Sequence, residues 1–441
     1  MQIKRVSVGN YKNIADTTLD LRKLVAIVSV NNFGKSNLLE AIKFGFEFIS
    51  ASAKMRSSMM RWERGVPLSK ALAGKDFNFS IEFDNPELEE YRFVRYSFSF
   101  SWINDQKTGA VITDETIEMR NNESVQYTSY LKRDKGQYKA AKSKTGFRKI
   151  SLAKEILAID ILSALEDIDI ANVITCIKSL SYRVCKTLEV DGSFFQLPIE
   201  FEGENPTPLS FNNDDIPRAL CLLKKEQPDQ YNLFLEAIYD LFPEFQKVDV
   251  QAYALKENEV PKFEARVISN IEGKDDLESI PFRIKDEIYR LIIHSEYLNQ
   301  PISMEYMSTG TKRLIWLIAN AVFCNCYGIN LIGVDEIETS IHPRMIQGLL
   351  ESLNDILESA SVIVTSHSPY LIQYLKPESI YIGYPCNDGV ARFKRVKKNR
   401  VKTLINTTRE LDLTVGEYLF ELMSGDEDAA AVLAAYLEDK Q

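Results

Sequence analysis

The sequence predicts an α/β fold: a parallel core sheet flanked by helices, an antiparallel β meander forming a mixed arrangement with it, and a mainly helical insertion. Three observations carry this. Short apolar runs that end in polar loops and lead into helix-period segments recur at both ends of the chain, as parallel β–α–β units require. From Phe77 to about Tyr130, in "FNFSIEF" and "YRFVRYSFSFSW", apolar and polar residues alternate, the period of antiparallel strands with one buried face. From about Ser151 to Phe245 the spacing turns helical, as in "LAKEILAIDILSALEDIDIANVITCIKSL" and "YNLFLEAIYDLFPEF". The expected organisation is therefore residues 1–150 and 246–441 as two halves of one domain, with 151–245 inserted between them.

In chain order, Ile3 to Val8 and Leu24 to Val30 read as strands, with a turn and a further strand between them. A polar loop then leads into a helix with apolar residues at Leu38, Leu39, Ile42, Phe46 and Ile49. After the meander comes a basic segment, "LKRDKGQYKAAKSKTGFRK", and then the helical region, broken by "GENPTPLSFNND". Strands are expected again at Val248–Leu255 and Phe263–Ile268, and beyond them a mostly parallel sheet. Helix Lys312–Cys326 precedes strand "INLIGVD", and helix Pro343–Ser359 precedes strand "SVIVTS". No heptad pattern persists long enough for a coiled coil.

Composition narrows the function. The chain has 441 residues, 45% of them apolar, and a net charge of −10. Such an acidic balance excludes a protein that coats nucleic acid over its whole surface, but leaves room for local basic patches. The six cysteines contain no CxxC, which excludes a zinc-hook loop and favours reduced thiols in the cytoplasm. The N-terminus lacks a signal peptide, and the longest apolar stretch, Leu314 to Cys324, is too short to span a bilayer. A cytoplasmic protein with no membrane partner is expected.

Four sites carry chemistry. In "SVNNFGKSN" a strand runs into a loop and then into a helix at Gly34-Lys35-Ser36, the context of a phosphate cradle. Lys35 is placed to reach phosphates, and the Ser36 hydroxyl to hold Mg²⁺. In "INLIGVDEIETSIHPR" a buried strand ends in Asp335 and Glu336, suited to metal and water handling. In "SVIVTSHSPYL" another strand delivers His367 to its carboxyl end, where open α/β sheets bind ligands. In "MSTGTKRLIWL", Ser308 and Gly310 stand at a helix start, which by itself is only a cap.

These elements, in this order, resemble the ABC-type ATPase heads of the RecF, SMC and overcoming-lysogenisation-defect (OLD) ATPases. The opening "IKRVSVGNYKNI" is similar to that group's usual start, and "DEIETSIHPR" and "TSHSPYLI" are similar to OLD-like segments. The resemblance implies ATP and Mg²⁺ as ligands. It implies Asn31, Gly34, Lys35, Ser36 and Asn37 as the Walker A loop, Asp335 as the Walker B aspartate and Glu336 as the catalytic glutamate. Ser308, Thr309 and Gly310 match the signature loop, and His367 the switch histidine. It further implies a homodimer, or larger homo-oligomer, with ATP at its interface. Two positions depart from the family loop: Ser29 and Asn32 stand where glycines are usual, and Ser29 is expected to bring a Cβ near the phosphates.

The tail beyond Ile382 is too short for the nuclease domain that OLD nucleases carry there. The chain thus looks like stand-alone ATPase subunits of Septu- or PARIS-type antiphage systems, which control a separate nuclease or toxin. Docking of that effector is expected on the helical insertion, whose positions Glu166, Asp167, Tyr231 and Phe234 fit a docking face or ordinary surface and core alike, or on two basic segments. These segments, 132–149 and 392–402, could equally contact nucleic acid. A RecF-like repair ATPase and a non-hydrolysing ATP-binding scaffold are the alternatives.

Overall fold

A computed structural model of the chain describes residues 1–61, 66–103, 111–139, 146–165, 169–186, 189–195, 199–201, 215–254, 282–284, 287–384 and 388–438. They form two units. Met1–Cys185, Tyr327–Glu338 and Leu357–Gln441 make the first, and Lys186–Cys326 with Thr339–Ile356 the second. The segment 151–245 is divided between them, its first part up to Cys185 lying in the first unit.

The chain opens with β1 (Gln2–Gly9), β2 (Thr17–Asp20) and β3 (Leu24–Val28), followed by helix Lys35–Ser50. The meander supplies β4 (Phe77–Asp84), β5 (Phe93–Ser101), β6 (Val111–Arg120) and β7 (Thr128–Lys132). Two short strands extend it, β8 (Gln137–Tyr138) and β9 (Arg148–Lys149). Together these strands, without β3, form an eight-stranded antiparallel sheet in the order β2-β1-β4-β5-β6-β7-β8-β9. Next comes β10 (Tyr182–Cys185). In the second unit β11 (Ile199–Phe201) pairs with β13 (Phe282–Ile284), while β12 (Phe245–Ala254), β14 (Glu287–Ser295) and β15 (Ile302–Ser303) form an antiparallel sheet. The chain re-enters the first unit at β16 (Leu331–Val334), then β17 (Ser361–Ser366), β18 (Ile380–Gly383) and β19 (Phe393–Arg395). These complete a six-stranded sheet, β10-β16-β17-β3-β18-β19, parallel except for β19.

The α/β class holds: an antiparallel meander and a parallel core sheet, with helices. Two local expectations need correction. Tyr182–Cys185 lies in a stretch read as helical, yet it is a strand pairing in parallel with β16. A mostly parallel sheet was expected beyond Ile268; it holds from β16 onward, whereas β14 pairs antiparallel with both β12 and β15. Helix Thr309–Tyr327 starts earlier than Lys312, and helix Pro343–Ile356 ends before Ser359. The expected strand Phe263–Ile268, and Glu166, Asp167, Lys142 and Lys144, lie outside the described residues. Tyr231 and Phe234 are buried in the second unit, so they are core rather than docking positions. Among the described residues no helix is long and apolar enough to cross a membrane.

The helix Lys35–Ser50 is fixed by aromatic packing on the meander. Phe48 stacks on Phe98 and Phe100, with ring centroids 4.8 and 4.9 Å apart, and Phe44 meets Phe77 edge-on at 5.1 Å. Each such burial is worth roughly 1.5–3 kcal/mol. At the far end the buried Arg56 donates to the carbonyls of Phe48 and Ile49, at 2.7 and 3.0 Å, satisfying groups the last turn leaves open. The helix start is thereby held at the carboxyl ends of the parallel strands.

Candidate functional site

The loop after β3 enters its helix through Gly34, at φ 122°, and no side chain caps that helix. Its first-turn N–H groups are therefore oriented for an anion rather than for a cap. A cavity of about 500 Å³ opens here, lined by Asn31 to Asn37 together with Glu336 and His367. Lys35 is buried, and its ammonium donates to the carbonyls of Ser29 and Val30, both at 3.0 Å. Burial lowers its pKa below the ordinary lysine value, while Glu336, Glu338 and Asp335 pull it back up.

The departures from the glycine pattern are accommodated. Asn32 takes the left-handed conformation, φ 59°, that a short polar side chain tolerates. Ser29 is fully buried and does not line the cavity. This corrects the expectation that its Cβ approaches the phosphates: it faces Gly383 of β18 instead. A Cβ at Gly383 would come within 2.7 Å of that of Ser29 and 2.6 Å of the Phe33 ring, so glycine is required there. Asn13 holds the loop from outside, donating to the Phe33 carbonyl at 3.2 Å and accepting from Asn37 at 2.8 Å.

The neighbouring strands bring the other groups. At the end of β16, Asp335 Oδ1 accepts from the Ser36 hydroxyl at 3.1 Å and from the Thr365 hydroxyl at 2.7 Å. The N–H of Glu336 donates to Thr365 Oγ1 at 2.8 Å. Glu336 sits at φ 48°, a strained conformation for a residue with a Cβ, and its side chain is 43% exposed at the cavity wall. His367 Nδ1 lies 4.0 Å from Glu336 and 3.2 Å from Glu338.

Glu338 was not singled out in the sequence. It is 10% exposed, and its Oε1 accepts from the Ser366 hydroxyl at 2.9 Å and from the His367 N–H at 2.8 Å. Its other oxygen is buried without a partner. The signal was its place three residues beyond Asp335 in "DEIETSIHPR". Ser308, Thr309 and Gly310 belong to the second unit. There Ser308 caps helix Thr309–Tyr327, accepting from the Thr311 N–H at 3.2 Å, and a Cβ on Gly310 would meet the Ser340 carbonyl at 2.4 Å.

Comparison with known proteins decides the family, because the AAA ATPase domain (AAA_15) matches residues 1–372, most of the chain. The chain belongs to the AAA ATPase domain family. Membership implies ATP binding and ATP hydrolysis. Among curated relatives, the Septu protein PtuA of Bacillus thuringiensis is 30% identical over 102 residues, covering 20% of this chain and 25% of that protein. The chain thus spans about a quarter of the length of the curated relative it matches. Among solved structures, an SMC head bound to the C-winged helix domain of ScpA aligns with a TM-score of 0.50 at 14% identity, covering 91% of this chain and all of that one. An SMC head with an extended coiled coil, bound to the C-terminal domain of ScpA derived from Pyrococcus furiosus, gives 0.48 at 12% identity, covering 92% and 99%. The ATPase domain described here therefore has an SMC-head-like α/β fold.

Proposed function

We propose that this AAA-family chain is an ATP-driven switch that binds ATP with Mg²⁺ in the cavity at Asn31–Asn37, dimerises around it and controls a separate effector in antiphage defence. One observation carries the nucleotide reading. Lys35 and Ser36 at an uncapped helix start, Asp335 and Glu336 at the end of β16, and His367 after β17 converge on one place. Lys35 and the first-turn N–H groups would bind the phosphates. Glu336 would orient and accept a proton from the attacking water, and His367 would sense the γ-phosphate end. The hydroxyl of Ser36 and the carboxylate of Asp335, in direct hydrogen bond, form a hard-oxygen donor set that fits Mg²⁺. When bound, the ion would neutralise phosphate charge. The defence role and the separate effector rest on the Septu similarity and are proposals. The signature residues Ser308, Thr309 and Gly310 support a dimer reading through the resemblance to ABC-type heads.

Two substitutions test the reading. Lys35→Ala removes the compact charge that faces the phosphates and is expected to abolish ATP binding in calorimetry. Glu336→Gln is expected to keep ATP binding, slow hydrolysis by about 10²- to 10⁴-fold and accumulate a dimer or larger assembly with ATP in sedimentation. Unchanged nucleotide affinity in the lysine variant would remove the cavity from consideration. Wild-type turnover in the glutamate variant would reassign Glu336.

A further inference from the structure

In both basic segments arginines are engaged internally. In the second, Arg392 pairs with Asp388 at 2.7 Å, and Arg395 is held between Asp20 at 3.0 Å and Glu438 at 2.9 Å. In the first, Arg133 is also engaged internally, by Glu115 and by the carbonyls of Ile112, Ala153 and Ile156. Lys132, Lys139 and Lys149 behave otherwise: among the described residues none has a carboxylate at ion-pair distance, in a chain with 63 acidic residues. Pairing register puts them on one face. Lys132 lies opposite Gln137, and Gln137 opposite Lys149. The two-residue period of a strand adds Lys139 and Phe147 to the same side. Phe147 is exposed, and its ring centroid lies 5.6 Å from the Lys132 ammonium and 5.0 Å from that of Lys139.

We propose that this face, at the β9 edge of the eight-stranded sheet, binds single-stranded nucleic acid. Lys132, Lys139 and Lys149 take backbone phosphates, and Phe147 stacks on an unpaired base. Lysines on an edge strand also discourage edge-to-edge pairing, but that role needs only charge, not an exposed ring beside the ammonium groups. An acidic protein would meet the lysines and leave the ring without a flat partner. A duplex keeps its base faces stacked on each other, so the ring selects single strands. The inference is independent of the nucleotide cavity.

Fluorescence anisotropy of the full chain with labelled oligo-dT tests it. Three phosphate contacts predict that log affinity falls with log salt at a slope of about −2. Phe147→Ala should weaken binding about tenfold with the slope unchanged. Lys139→Ala should make the slope shallower by about 0.7. Phe147→Tyr, which keeps the stacking ring, should bind as the wild type does, and this separates stacking from any loss of folding in Phe147→Ala. Wild-type affinity in Phe147→Ala would overturn the proposal. So would duplex binding as tight as oligo-dT, or displacement of oligo-dT by polyglutamate with Phe147→Ala equally displaced, which would make the face a dock for acidic protein.

Discussion

Glu338 places one carboxylate oxygen against Nδ1 of His367, its main-chain N–H and the hydroxyl of Ser366. A carboxylate oxygen 3.2 Å from Nδ1 favours the proton on that nitrogen and leaves Nε2 as the free ring nitrogen. Glu338 is thus a positioning residue for His367. Glu338→Gln is expected to leave ATP affinity near wild type, to slow hydrolysis by about tenfold or more and to change the His367 tautomer. Histidine-selective nitrogen NMR reads the tautomer directly, since the chain has only three histidines. An unchanged tautomer and rate would reduce Glu338 to a backbone cap. Sequence motifs exposed Lys35, Ser36, Asp335, Glu336 and His367 because each stands at a strand end with a recognisable neighbour. They could not expose the fit of Ser29 against Gly383, because the two residues are far apart in sequence and meet only across strands β3 and β18.

At the scale of elements, the long periodic segments were legible and the short ones were not. The meander and helix Lys35–Ser50 announce themselves by period. The four-residue β10 cannot, since so short a run fits either period, and only its place beside β16 makes it a strand. The meander also carries an inward carboxylate. Glu115 on β6 is fully buried and accepts from the N–H groups of Ala158 and Ile159 at 2.6 and 3.2 Å and from the Tyr96 hydroxyl at 3.0 Å. Arg133 pairs with it at 3.3 Å. Burial pushes its pKa up, and these donors and Arg133 oppose the shift. Glu115→Ala would leave Arg133 without its buried partner and open the start of helix Ala158–Leu162. A loss of about 3–5 kcal/mol in urea unfolding is expected. A loss within about 0.5 kcal/mol, the range of an ordinary surface change, would show that the network is dispensable.

At the scale of the molecule, the family match ends at residue 372, yet the chain continues into the first unit's own core. Strand β18 lies beside β3, and β19 closes the sheet edge. Helices Val401–Glu410, Val415–Ser424 and Glu427–Tyr436 follow. The second of these docks on the segment directly after His367. A Cβ at Gly416 would lie 2.2 Å from the Pro369 carbonyl, so only glycine allows this approach. Packed interfaces this close shift as a body or separate; they do not stretch. A ligand that moves His367 should therefore move helix Pro369–Ile372 and, through Gly416, helix Val415–Ser424. Hydrogen exchange of the Glu336→Gln variant with and without ATP tests this, because ATP binding is expected to persist there while turnover is slowed. Altered exchange is expected in the Asn31–Asn37 loop, in Pro369–Ile372 and in Val415–Ser424, with β4 to β6 unchanged. Protection of the loop alone would show that the C-terminal helices do not follow the nucleotide. Joint protection would make them the surface on which ATP binding is displayed to a partner.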